Sequence, residues 1–94
     1  MAEIVISEFM DEAAVADLRA SFDVLYDKTL VDRPEELAAA AAGCRALIVR
    51  NRTQVRGALL EGAHLRVVGR LGVGLDNIDC KACRERGIAV IPAT

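Results

Sequence analysis

Short apolar runs alternate with helical periodicities along the whole chain. Runs rich in Val, Ile and Leu predict strands, whereas apolar residues that recur on one helix face predict helices. The predicted strands are residues 3–7, 22–26, 45–49, 65–68 and 88–91. The predicted helices between them are residues 11–20, 33–43, 54–61 and 80–86, of which the third has the weakest pattern.

Capping residues support these helix boundaries. Asp11, Asp32 and Asp79 are predicted to cap the first, second and fourth helices, because a short polar side chain can accept a backbone N–H at a helix start. Pro34 lies in the first turn of the second helix, where a proline is well tolerated. Gly87 is predicted to end the fourth helix in a left-handed conformation.

Strict alternation of strands and helices predicts an α/β fold with a parallel sheet, right-handed crossovers and helices on both faces. Five strands favour a flavodoxin-like three-layer fold of strand order 2-1-3-4-5 over a half-Rossmann unit, although the sequence alone leaves the order open. Pro92 is predicted to stop the fifth strand, and no final covering helix follows it. We therefore expect an uncovered edge or face at the last strand.

Composition narrows the class of protein. Hydrophobic residues make up 53% of the 94-residue chain, which is enough for one compact domain with a largely aliphatic core. A net charge of −2 with mixed signs argues against general nucleic-acid binding, and the apolar runs are too short for a membrane span. Three cysteines and no secretion signal predict reduced thiols and a cytoplasmic location.

Three segments of unusual residues follow predicted strands. Residues 50–53 place two arginines and an asparagine after strand three, residues 69–77 place a glycine-rich loop after strand four, and residues 92–94 follow strand five. Ligands of open parallel sheets bind at the carboxyl ends of the strands. Arginine forks match carboxylates and phosphates, and glycines let successive N–H groups form an anion nest. These segments predict a site for a small anion.

Plainer interpretations of the same residues remain open. Arg50 and Arg52 could be solvated or paired with Asp76 or Asp79, as surface arginines often are. The glycine loop could be only a tight turn. It is not a dinucleotide fingerprint, because Asn77 stands where the third glycine should be.

Other candidate groups point to structural roles. Cys80 and Cys83 have redox-pair spacing, but Cys83 falls on the inward face of its predicted helix and is expected to be buried. His64 lies at the opposite end of the sheet and is expected to be a surface or structural residue. A metal site is not predicted, because only His64 and Cys44 remain as further soft ligands.

Three segments together carry a resemblance to a known family. Residues 49–53, 65–79 and 86–94 resemble the N-terminal segment of the D-2-hydroxyacid dehydrogenases, and the phosphoglycerate dehydrogenase branch is the most similar. The run Gly-x-Gly-x-Asp-Asn-Ile-Asp at residues 72–79 is the most specific part. The resemblance covers the whole chain.

The resemblance implies that residues 1–94 are a fragment of the substrate-binding domain, without the cofactor-binding domain. In the family, backbone N–H groups of the loop after strand four bind the substrate carboxylate, and side chains after strand three add further contacts. The implied substrate-binding residues are Gly72, Val73, Gly74, Arg50, Asn51 and Arg52. The second arginine, Arg52, favours a doubly anionic substrate such as a phospho- or sulfo-substituted hydroxy acid.

The resemblance also implies what this chain lacks. The family's catalytic Arg, Glu and His and its NAD or NADP site lie downstream, so no catalytic, cofactor-binding or metal-binding residue is assigned here. The expected ligand is a small anionic 2-hydroxy or 2-keto acid, and the chain alone is expected not to transfer a hydride. Two alternatives remain: a stand-alone flavodoxin-like module that self-associates through an exposed apolar face, and a small redox protein using Cys80 and Cys83.

Overall fold

The chain forms a five-stranded parallel sheet flanked by helices. The computed structural model describes residues 2–72 and 74–93. The sheet has the order β2-β1-β3-β4-β5, so the predicted α/β class and strand order are confirmed. The strands are β1 (Ile4–Ile6), β2 (Val24–Tyr26), β3 (Ala46–Val49), β4 (Val67–Leu71) and β5 (Ala89–Ala93). The helices are α1 (Glu12–Arg19), α2 (Pro34–Gly43), α3 (Ala58–Glu61) and α4 (Cys80–Glu85), and a 3-10 turn spans Leu30–Asp32.

The helices divide unequally between the two faces of the sheet. One face carries α2, α3 and α4, which pack on fully buried strand residues such as Val5, Leu47 and Val68. The other face carries α1, whose Val15 packs on Ile4 and Ile6. Long apolar side chains thus fill both layers, as a parallel sheet requires.

The α1 face is open beside the last strands. In the register of the sheet, Ile48 lies opposite Gly69 and Gly69 opposite Ile91, so these residues share one face with Ile6. Within the described residues only α1 packs on this face, and it covers β1 and β2. Ile91 is consequently 56% exposed.

Two strands extend further along the chain than predicted. β4 continues three residues beyond Val68 to Leu71, because Arg70 still pairs with Val49 of β3 and with Pro92 of β5. The prediction that Pro92 stops β5 is wrong, since the strand runs on to Ala93. β5 is an edge strand, and an edge tolerates proline because the missing N–H is not needed for a second neighbour.

The helix caps are partly as predicted. The Asp79 carboxylate accepts the Ala82 N–H at 3.0 Å, and Gly87 has φ +73°, so both of these predictions are confirmed. Asp11 precedes α1 without a side-chain capping hydrogen bond, and that prediction is wrong. Asp32 does not cap α2 either, because it lies in the 3-10 turn and the residue before Pro34 is an arginine.

The predicted third helix is shorter than expected. α3 begins at Ala58, whereas the prediction began at residue 54. The preceding Gly57 has φ +61°, which is outside the helical region. Val55 instead forms an isolated parallel bridge with Ile78, which ties the segment after β3 to the segment after β4. No helix in the described ranges is long and apolar enough to cross a membrane.

Candidate anion-binding site

The loop after β3 is built around a buried carboxylate. Glu8, two residues beyond β1, is 4% exposed. Its Oε2 accepts the N–H groups of Arg50 at 2.8 Å and Thr53 at 3.0 Å, and its Oε1 accepts the N–H of Arg52 at 3.1 Å. Burial acts to raise the pKa of Glu8, but the hydrogen bonds from this loop together lower it below its ordinary value. Glu8 is therefore held as a carboxylate inside the loop.

A second side chain anchors the same loop from the other side. The Asn77 side-chain amide donates to the carbonyl oxygens of Arg50 at 2.9 Å and Thr53 at 2.8 Å. The Thr53 hydroxyl also lies 2.9 Å from the Ser7 hydroxyl. The loops after β3 and β4 therefore meet at one edge of the sheet, as the strand-end argument predicts.

A shallow cavity opens on the outer side of this loop. It has a volume of about 280 Å³ and is lined by Glu8, Phe9, Lys28, Val31, Arg50, Asn51 and Arg52. The structure thus brings the three predicted residues 50–52 together in one cavity, and it adds Lys28. Lys28 follows β2, so the strand-end rule applied to that strand would have found it.

Lys28 is available to a ligand because the neighbouring acid is already engaged. Asp27 accepts the N–H of Thr29 at 2.9 Å and its hydroxyl at 2.6 Å, and it pairs with Arg33. These contacts lower the pKa of Asp27, with the Thr29 hydrogen bonds as the main cause. Lys28 has no ion pair of its own with any described residue.

The two arginines differ in their partners. Arg52 pairs with Asp32, and both side chains are about 60% exposed. The plainer interpretation, that this arginine pairs with a nearby acid, is therefore confirmed for Arg52, but the partner is Asp32 and not Asp76 or Asp79. Arg50 forms no ion pair among residues 2–72 and 74–93. Since an exposed pair contributes little and screens its own charge, Arg50 is the more available cation.

The glycine loop after β4 is covered by an arginine that sequence reasoning did not select. Arg70 donates from Nη1 to the Leu71 carbonyl at 2.6 Å. A Cβ on Gly72 would collide with the Arg70 guanidinium, and Gly72 has φ +134°. Gly74 lies under the same guanidinium, whose Nη2 is 3.6 Å from the position of a Cβ there. The predicted site residue Val73 lies outside the described residues.

The Arg70 side chain retains hydrogen-bonding capacity. Its Nε is buried and has no partner in the part of the chain that the structure describes. Such a donor is costly to leave unsatisfied, so an arginine in this state is a candidate for a ligand contact. The sequence hid this residue because Arg70 was assigned to a loop, whereas it belongs to β4 and its side chain extends over the following glycines.

The cysteines and the histidine lie apart from this edge. Cys83 is fully buried, and burial raises its pKa, which is the opposite of what a reactive thiol needs. Burial likewise raises the pKa of Cys44 to about 11. His64 is exposed at its surface position. Across the described ranges no three His, Cys, Asp or Glu residues cluster as metal ligands would.

Fold and edge geometry together define an α/β domain with a polar site at the carboxyl ends of its strands. Residues 4–94 match the catalytic domain of the D-isomer-specific 2-hydroxyacid dehydrogenases. The chain belongs to this family, as the sequence resemblance predicted.

Individual relatives agree with that assignment. The chain is 62% identical over 95 residues to (S)-sulfolactate dehydrogenase of Chromohalobacter salexigens, covering 100% of this chain and 31% of that protein. It is 43% identical over 94 residues to chloroplastic D-3-phosphoglycerate dehydrogenase 2 of Arabidopsis thaliana, covering 96% of this chain and 14% of that protein. The chain thus spans a third or less of the length of these relatives.

A solved structure shares the fold. The crystal structure of NAD+-bound 3-phosphoglycerate dehydrogenase from Entamoeba histolytica superposes with a TM-score of 0.75. It is 24% identical, and the match covers 97% of this chain and 32% of that one. At this identity the likeness supports the fold alone.

Proposed function

We propose that this chain is the substrate-binding lobe of an NAD(P)-dependent dehydrogenase that acts on a small D-2-hydroxy acid carrying a second anionic group. A sulfolactate-like or phosphoglycerate-like acid fits this description. The observation that carries the proposal is the cavity at the carboxyl edge of the sheet, where Lys28, Arg50 and Arg52 converge. Lys28 and Arg50 have no ion pair among the described residues, and two such cations favour a ligand of more than one negative charge.

The lobe would divide the work between its two loops. The N–H groups of Gly72 and Gly74 would bind the carboxylate that all 2-hydroxy acids share, beneath the Arg70 guanidinium. Arg50 and Lys28 would bind the distal sulfonate or phosphate, with Arg52 in a weaker role because Asp32 already pairs with it. This arrangement would orient the substrate but would move no proton or hydride.

The glycine-rich loop of this chain lacks the residue pattern of a dinucleotide-binding turn. The loop at residues 72–77 has Asn77 in place of a third glycine, and the side chain of Asn77 is used to hold the loop after β3. NAD(P) and the catalytic residues are therefore proposed to lie in a cofactor-binding domain elsewhere in the full-length protein, so that this chain alone transfers no hydride.

Calorimetric titration of the purified chain tests the proposal. (S)-sulfolactate and 3-phosphoglycerate should bind at least tenfold more tightly than lactate, which corresponds to ~1.4 kcal/mol. A unit charge about 5 Å from a cation contributes on the order of 3 kcal/mol at an effective dielectric of 20, so screening by salt leaves room for this difference. Equal affinity for all three acids would contradict the proposed dianion preference.

Matched variants locate the binding. K28A and R50A should each remove most of the difference between sulfolactate and lactate while leaving lactate affinity unchanged. R84A is a suitable control, because Arg84 lies on α4 and lines a different cavity. Loss of selectivity in R84A but not in R50A would place the site elsewhere.

The exposed apolar face supports a second role in association. Ile91 is 56% exposed on a part of the sheet face that α1 does not cover. We propose that this face contacts another copy of the chain or the remaining domain. Sedimentation velocity should show that I91K reduces self-association, whereas L25K on the opposite edge strand does not. If the wild-type chain is monomeric at all concentrations, the proposed contact between two copies is excluded, and only the proposed contact with the remaining domain is retained.

A further inference from the structure

We propose that Glu8 is the positioning residue of the anion site: its carboxylate shapes the loop at residues 50–53 and thereby aims the cationic side chains into the cavity. The evidence that Glu8 shapes the loop is the set of hydrogen bonds that Glu8 accepts from it, and this part does not depend on the proposed function. The consequence for substrate binding rests on the proposed function. The family resemblance implies no role for Glu8.

The contacts of Glu8 account for the curvature of the loop. The N–H groups of Arg50, Arg52 and Thr53 converge on one carboxylate, with two on Oε2 and one on Oε1. A short segment whose amides point inward is the arrangement that binds anions. Here the anion is a side chain from β1's end, separated from the loop by 42 to 45 residues. The loop is thus closed around an internal anion.

This internal anion determines how an external one can bind. Because Glu8 occupies the N–H groups of residues 50, 52 and 53, the Asn51 N–H and the side chains of this loop are what remains in the loop to bind a substrate anion. The carboxylate also lines the cavity that holds Lys28, Arg50 and Arg52. The negative charge of Glu8 in this cavity would repel an anionic substrate. Its role is therefore to hold the loop and not to bind the substrate. Both oxygens are engaged, which leaves Glu8 unsuited to proton transfer.

Glutamine and aspartate are the residue types most similar to glutamate, and they test the shape and the charge of Glu8 separately. In Glu8→Gln the shape is kept, but an NH₂ group replaces one of the two acceptor oxygens and faces an N–H donor. In Glu8→Asp the charge is kept on a shorter side chain, so fewer of the three amides can be reached. We expect Asp to preserve more of the loop than Gln does.

The decisive experiment separates positioning from stability. E8Q and V15A are compared at a temperature where both are folded, because Val15 is a buried α1 residue on the other face of the sheet. E8Q should bind (S)-sulfolactate at least tenfold more weakly than wild type, and E8D should recover part of the loss. V15A should bind as wild type does despite its lower Tm. E8Q binding within twofold of wild type would overturn the proposal.

Amide hydrogen exchange keeps the test independent of the substrate. In the wild-type chain, the amides of Arg50, Arg52 and Thr53 should exchange at least about tenfold more slowly than that of Asn51, which donates to no described residue. E8Q should lose this protection. If wild type fails to bind sulfolactate, the proposed function fails, while protection lost in E8Q still supports the role of Glu8. Equal exchange of all four amides in wild type overturns it, even if E8Q does not fold.

Discussion

Replacing Asn77 by alanine removes the only side chain that joins the loop after β4 to the carbonyl groups of the loop after β3, within the residues described. Asn77 is 5% exposed, and its NH₂ group donates at 2.9 Å to Arg50 and 2.8 Å to Thr53. The truncation leaves two carbonyl oxygens without their donor. The Thr53 carbonyl is buried and the Arg50 carbonyl is partly so. Water can therefore replace at most part of the lost bonding.

The expected magnitude follows from these two contacts. A buried polar group left unsatisfied costs about 1–3 kcal/mol, and a partly buried one costs less. We expect N77A to lower the free energy of unfolding by about 2–3 kcal/mol. For a domain of this size each 1 kcal/mol shifts Tm by about 4–8 °C, so a fall on the order of 10–20 °C is expected.

Urea unfolding followed by circular dichroism measures this change. N51A is the matched control, because Asn51 is exposed in the same region and should change stability by less than about 0.5 kcal/mol. N77D keeps the shape of the side chain but exchanges the donor for an acceptor, so it should destabilise at least as much as N77A. If N77A unfolds within 0.5 kcal/mol of wild type, the loops are not joined as described.

Three further predictions concern the same edge of the sheet. The folded-state pKa of Glu8 lies below its ordinary 4.5, so Glu8 contributes stability above that pH. This contribution is lost as the pH falls through the lowered folded-state pKa. The free energies of unfolding of wild type and E8Q, measured as a function of pH, should therefore converge in that acidic range. G72A should destabilise by about 1–3 kcal/mol because φ is +134° and its Cβ would meet a guanidinium, whereas G62A, with open space at its Cβ, should not; equal thermal stabilities would contradict this. Under the proposed function, R52A in the full-length protein should raise KM more for a dianionic than for a monoanionic substrate, but less than K28A does; equal changes for both substrates would refute a selective role.

The alternation of strands and helices predicted the sheet, because each pattern depends on residues close in sequence. The ends of β4 and β5 were missed for the same reason. Gly69 and Pro92 weaken a strand when taken alone, yet pairing between neighbouring strands extends both. Asp32 was predicted to cap a helix because nothing in the neighbouring sequence indicates that its carboxylate pairs with Arg52.

The candidate site was predictable in its location but not in its construction. Arg50 and Arg52 follow a strand and could be selected by that rule. Glu8 and Asn77 hold the loop across long sequence separations, and nothing local marks them. Glu8 could be noticed only as an acid near the first strand, and Asn77 only as a residue that breaks a glycine pattern.

The two-sided anchoring of the loop after β3 has a consequence for the thermodynamics of recognition. A loop already held by Glu8 through its N–H groups and by Asn77 through its carbonyl groups has little backbone freedom left to lose. Ordering of mobile segments is a principal cost of association, and preorganisation removes it. Binding of the proposed anionic ligand at this edge should therefore carry a small conformational entropy penalty, with selectivity decided by the side chains of the loop.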